Sequence, residues 1–85
     1  MKKKILIFGS GSIGTHHANA AITLKNDVFI TDKNNSQLEN MKQNIYPQRY
    51  GKWNNKINCI SYNKVFNLRK NFDLIIIGIP PKLHL

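Results

Sequence analysis

Disulfide chemistry, membrane-spanning runs and acidic charge are all scarce in this sequence. Cys59 is the single cysteine among 85 residues, so no intramolecular disulfide can form. No Cys or His pair has zinc-site spacing except the adjacent His16 and His17, whose side chains diverge on any regular element. A reducing, cytoplasmic setting follows as the expectation. No stretch approaches the roughly 20 apolar residues that cross a bilayer, which excludes a spanning protein. The opening MKKK followed by ILIF imitates a secretory signal, but its apolar run is far shorter than the ~7–15 residues such a segment uses. Glycines and histidines then interrupt it. No tract is dominated by Pro, Ser and Gly and no internal repeat occurs, so neither a disordered tail nor an interdomain linker stands out.

Four acidic residues face 13 basic ones, for a net charge of +9. A basic surface attracts nucleic acid, anionic lipid or phosphorylated ligands. Here the lysines are scattered. Lys2 to Lys4 form the only cluster, and neither arginines nor aromatics interleave with lysines in the stripe that single-strand binders use. Nucleic acid is therefore not the expected partner. With 41% hydrophobic residues the chain can build one small core and no more than one domain.

The run from Lys4 to Phe8, KILIF, is short, continuous and apolar, which suits a strand buried on both faces of a parallel sheet. From Ser12 the residues Ile13, His17, Ala20 or Ala21, and Leu24 recur at helical spacing. Gly14 and Ala18 add a flat stripe where that helix can lie close to a sheet. DVFIT, Asp27 to Thr31, reads as a second strand ending at Asp32. Ser36-Gln37-Leu38-Glu39 matches a capping box that opens a second helix with Leu38, Met41 and Ile45 on its apolar face. Pro47 should stop it. Tyr46 to Lys56, with Pro47, Gly51 and Asn54-Asn55, reads as a loop from which Trp53 can fold back onto the sheet. Ile57 to Ser61 reads as a third strand, enclosing Cys59 as a buried, inert thiol, and Tyr62 to Asn71 as a short helix with Val65, Phe66, and Leu68 or the Arg69 stem inward. FDLIIIGI, Phe72 to Ile79, is the strongest strand signal and stops at Pro80-Pro81. Alternating strands and helices define an α/β fold: an incomplete, Rossmann-like doubly wound parallel sheet of about four strands ordered 3-2-1-4.

Gly9-Ser10-Gly11-Ser12-Ile13-Gly14 falls between the first strand and the first helix, with the acidic Asp32 closing the next strand. A lone G-x-G-x-x-G is weak, but this order of strand, glycine turn, helix and acid is the context that gives it meaning. Gly9 would turn the chain sharply, Gly11 would admit a pyrophosphate against bare backbone, and Gly14 would let helix and strand pack closely. Unpaired N–H groups at the helix start favour a dianion, which would sit over Gly11, Ser12 and Ile13. Asp32 would accept hydrogen bonds from the adenosine ribose and repel a 2′-phosphate, which selects NAD. Lys33 beside it leaves NADP as the alternative. The bland readings are a plain turn for the glycines and a helix-entry residue for Asp32.

GSGSIGTHHA together with DLIIIGIPPKLH resembles the Gfo/Idh/MocA family of oxidoreductases. The first stretch matches G-x-G-x-I-G-x-x-H-A through Gly9, Gly11, Gly14, His17 and Ala18. The second and more discriminating one matches D-x-V-x-I-x-x-P-P-x-x-H through Asp73, Pro80, Pro81 and His84. The resemblance covers the chain but only the front of such an enzyme. It implies that residues 1–85 are a truncated amino-terminal dinucleotide-binding domain and that the substrate domain and the E-K-P lysine motif are absent. The implied function is hydride transfer between nicotinamide and a hydroxyl-bearing carbon of a sugar or cyclitol, a small-molecule substrate bound only by the full-length protein. This portion alone should not turn over. The resemblance also implies that Ile79, Pro80 and His84 line the cofactor near its nicotinamide, with His84 equally readable as a helix-start residue that holds the loop. His17 is expected under the glycine turn and His16 at the surface. The rival reading is a non-catalytic, nucleotide-sensing Rossmann module. A strand as apolar as the fourth, left at a sheet edge, also favours self-association into a homo-oligomer.

Overall fold

The computed structural model describes residues 2–68 and 71–78, with the side chain of Phe66 outside the description. Four strands, β1 (Lys4–Phe8), β2 (Asp27–Thr31), β3 (Ile57–Cys59) and β4 (Leu74–Ile77), form one sheet ordered β3-β2-β1-β4. All three pairings are parallel. The helices between them are α1 (Ser12–Thr23), α2 (Asn35–Asn40), α3 (Tyr46–Tyr50) and α4 (Tyr62–Leu68), with a π-helical turn, Met41–Ile45, joining α2 to α3. This is the α/β, Rossmann-like parallel arrangement expected, in the expected strand order.

Alternation along the strands sorts the core into two faces. Ile5, Ile7, Val28, Ile30 and Ile57 turn to one side and pack with Ala18 and Ala21 of α1, Leu38 of α2, Met41 and Tyr46. The intervening residue Phe8 meets Tyr62 at the start of α4, edge to face with ring centroids 6.3 Å apart. Asp73 pins β4 to β1: its carboxylate accepts from the Lys4 N–H at 2.7 Å and its own N–H donates to the Lys4 carbonyl at 2.8 Å. Among the described residues no helix is long and apolar enough to cross a membrane.

Several local expectations are corrected. Helix α1 buries its small residues, Gly14, Thr15, Ala18 and Ala21, while Ile13 and Leu24 are exposed, Leu24 at 75%. Close approach to the sheet selects small side chains, so the bulky members of the helical pattern point outward. The cap of α2 is Asn34, whose side chain accepts from the Ser36 N–H at 2.9 Å, and not Ser36. Asn in this role satisfies one of the orphan donors of the first turn.

Pro47 does not end the helix. Ahead of it the Tyr46 N–H reaches back to the Met41 carbonyl, a five-residue π step. The widened turn keeps the carbonyl four residues before the proline clear of its ring, and Pro47 then sits in the first turn of α3 where no N–H is required. Gly51, at φ 93°, stops the helix, its N–H donating to the Pro47 carbonyl at 2.8 Å. Trp53 does return to the core, edge-on to Tyr46 at 5.3 Å. The Tyr46 hydroxyl donates to Asn19 at 2.9 Å, and burial pushes its pKa up.

Strand β3 ends at Cys59, and the cysteine is exposed rather than buried. A three-residue edge strand leaves it no cover on one side. Helix α4 buries Val65 but exposes Leu68, and Arg69 lies outside the described residues. Strand β4 begins at Leu74, two residues later than expected, and just before it Phe72 packs edge-on against Phe29 with ring centroids 5.2 Å apart.

Candidate functional site

The carboxyl ends of β1, β2 and β4 open into a cleft of about 780 Å³, lined by residues that include Phe8, Gly9, Gly11, Asp32, Lys33, Asn34, Gln37 and Tyr62. Gly9 leaves β1 at φ 102°, a left-handed conformation that favours glycine, and its N–H donates to the Thr31 carbonyl at 2.8 Å. The turn is thereby tied to the end of β2.

The two later glycines differ in what surrounds them. A Cβ on Gly14 would lie 1.7 Å from the Gly9 carbonyl oxygen, inside the backbone of the turn itself. Gly14 is required for the fold. A Cβ on Gly11 would meet only the Gln37 amide nitrogen, at 3.4 Å, the end of a flexible side chain. Its bare backbone faces the cleft. Gly78 repeats the close approach from β4, where a Cβ would come within 2.9 Å of the Gly14 Cα.

Gly11 caps α1 without a side-chain acceptor, and its carbonyl accepts the first helical bond, from the Thr15 N–H, at 2.9 Å. The N–H groups of the first turn at Ser12 and Ile13 thus begin beside the cleft, where a helix carries partial positive charge. Both side chains are exposed.

Asp32 stands at the mouth of the cleft, half-buried, with both oxygens in use. Its Oδ2 accepts from the Ser10 N–H at 2.8 Å and from the Ser10 hydroxyl at 2.9 Å. Its Oδ1 accepts from the Asn34 N–H at 2.9 Å, the turn that enters α2. The helix-entry role and the cleft position are therefore both real for this residue.

Sequence reasoning did not single out Arg49, Gln37 or Ser10. Arg49, carried on α3, donates to the Ser12 carbonyl at 2.9 Å and to the Ser12 hydroxyl, so a guanidinium lies at the start of α1. Arg49 follows the π step that carries the helix through Pro47, and no local pattern announces such a step. Gln37 could have been found from its place in the first turn after Asp32. His16 is exposed and His17 half-buried, their rings edge to face at 5.8 Å. Ile79, Pro80 and His84 lie outside the described residues. Among the described residues no group of three or more His, Cys, Asp or Glu could hold a metal ion.

At the opposite end of the sheet Lys2, Lys25 and Lys56 border a second hollow, with Asp27 3.7 Å from Lys2. Among the described residues, neither arginine nor an aromatic side chain lines it. The comparisons with known proteins identify no relative: no family model matches the chain, and no curated protein or solved structure matches it significantly.

Proposed function

We propose that this chain binds a dinucleotide, NAD in preference to NADP, as the cofactor-binding portion of an oxidoreductase resembling the Gfo/Idh/MocA family. The contrast between Gly14 and Gly11 carries the reading. One glycine is demanded by the protein's own packing, whereas Gly11 leaves bare backbone against an open cleft that the fold does not fill. A pyrophosphate fits that backbone, with the N–H groups of Ser12 and Ile13 as donors. Asp32 and Lys33 border the same cleft. The carboxylate would take the adenosine ribose hydroxyls and oppose a 2′-phosphate.

When bound, the nicotinamide would supply hydride transfer, which in this family acts on a hydroxyl-bearing carbon of a sugar or cyclitol. The residues described here bind and orient. Ile79, Pro80 and His84 belong to the same proposal through the family resemblance, on the nicotinamide side.

Calorimetric titration with NAD, NADP and ADP-ribose tests the reading. Binding of NAD and ADP-ribose, weaker binding of NADP, and loss of all three in Gly11→Val with the fold retained are the expected results. Undiminished affinity in that variant would remove Gly11 from the site. On the intact protein, substrate-dependent reduction of NAD separates an oxidoreductase from a nucleotide sensor, which would bind without turnover.

A further inference from the structure

Ser10 sits between the two glycines of the turn and is fully buried, at 0% exposure. It has two donors, the backbone N–H and the hydroxyl, and both go to the same atom, Asp32 Oδ2, at 2.8 and 2.9 Å. The other oxygen of Asp32 takes the Asn34 N–H at 2.9 Å. A carboxylate offers about four acceptor positions, so three of them serve the protein. A ribose diol that donates two hydrogen bonds finds about one position free and has to share or displace one of the bonds already made. Without the carboxylate the Ser10 donors would be buried with no partner, a state that folded chains avoid.

We infer that Asp32 is the brace of the glycine turn as well as its ribose acceptor. Through Ser10 its carboxylate fixes the backbone of Gly9 to Gly11 against the end of β2. The affinity of the turn for a pyrophosphate therefore depends on Asp32 even for a ligand with no ribose hydroxyls to offer. Ser10 is a positioning residue, and the ribose and phosphate ends of the site are coupled through one side chain. This inference rests on the dinucleotide reading for its ligand, but the brace itself is a property of the chain alone.

The decisive experiment is a thermodynamic cycle on the 85-residue chain. NAD and its 2′,3′-dideoxyadenosine analogue are titrated into the wild-type chain, Ser10→Ala and Asp32→Ala. The brace predicts that Ser10→Ala weakens both ligands equally, by about threefold to tenfold, within the usual net span for one hydrogen bond. Asp32→Ala is expected to weaken the dideoxy analogue at least as much, with a further loss for NAD. If Asp32→Ala leaves the dideoxy analogue at wild-type affinity, or if Ser10→Ala lowers thermal stability while both affinities stay unchanged, the inference is overturned.

Amide hydrogen exchange on the ligand-free chain separates the two readings. The Ser10 amide should exchange at least about tenfold faster in Asp32→Ala than in the wild type, as expected when a native hydrogen bond is lost. Failure of the wild-type chain to bind either ligand would sink the dinucleotide reading while the exchange result still decides the brace. An unchanged Ser10 amide rate would reject the brace even if NAD binds.

Discussion

Strands β1 and β4 lie side by side in parallel register, Ile5 against Leu74 through Phe8 against Ile77, and their sequences are almost equally apolar. Their fates differ completely. Leu6 and Ile7 of β1 are wholly buried, whereas Leu74, Ile75 and Ile77 are exposed, Ile77 at 70%. Neighbours on both sides and helices above make β1 a core strand, while among the described residues β4 pairs with β1 alone. A run of branched apolar residues specifies an extended strand. Whether that strand is covered depends on what the topology places beside it.

The glycine turn repeats the contrast at smaller scale. Gly14 faces the protein and Gly11 faces the cleft, so the same residue type serves packing in one place and leaves surface bare in the other. Gly14→Ala is the largest effect expected in the molecule. Its methyl would overlap the Gly9 carbonyl, and overpacking against backbone that cannot yield should cost upwards of about 3 kcal/mol, read as a collapse of the urea midpoint. Gly11→Ala, at a φ of −78° that any residue adopts, should leave that midpoint within about 0.5 kcal/mol of wild type. Equal losses from the two substitutions would break the distinction between them.

Next in size comes the pair of strands. Leu6→Ala removes a fully buried side chain and should cost about 2–5 kcal/mol, while Ile77→Ala on the exposed edge should change stability by no more than about 0.5 kcal/mol. Denaturant midpoints for the two variants measure the difference. A loss from Ile77→Ala comparable to that from Leu6→Ala would mean that β4 is covered in solution, and sedimentation would then identify a second copy as the cover.

The smallest effect concerns the other edge strand, β3. Cys59 is exposed, yet partial desolvation by the surrounding chain raises the pKa of its thiol, against an opposing pull from Lys42. Iodoacetamide should therefore alkylate it more slowly at pH 7 than it alkylates cysteine in a short peptide, with the rate climbing as pH rises. A rate at or above the peptide's would mean that exposure governs the thiol. The linked stability has a definite sign. The folded chain keeps this proton longer than the unfolded one, so the contribution is intact below about pH 8.5 and is lost as pH climbs through the folded value.

Much of the fold was legible because parallel α/β sheets are announced locally. β-branched runs, glycine breaks and helical spacing gave four strands and their order, and the acid at the end of β2 was visible beside the glycines. Three kinds of feature were hidden. The stop at Pro47 failed because a π step is a response to crowding between the ring and a carbonyl, and residue preferences do not encode it. The inward face of α1 was misjudged because size, not hydrophobicity, decides which side of a helix can approach a sheet. Cys59 was expected to be buried by the apolar run around it, yet it lies on an edge strand where cover depends on neighbours. The exposed edge position of β4, by contrast, was legible from the strand order.

Taken alone, the amino-acid sequence determined the alternation of strands and helices, the strand order, and the glycine turn beside an acid, since each depends on backbone preference and short-range spacing. Tertiary structure alone decided what those parts do to one another. It set Gly14 against a carbonyl and Gly11 against a cleft, and it swung Arg49 of α3 onto the start of α1. It also closed Asp32 onto Ser10 across 22 positions of chain. Such contacts join residues far apart in sequence, and no local preference carries information about a partner that only the packed sheet brings within hydrogen-bond distance.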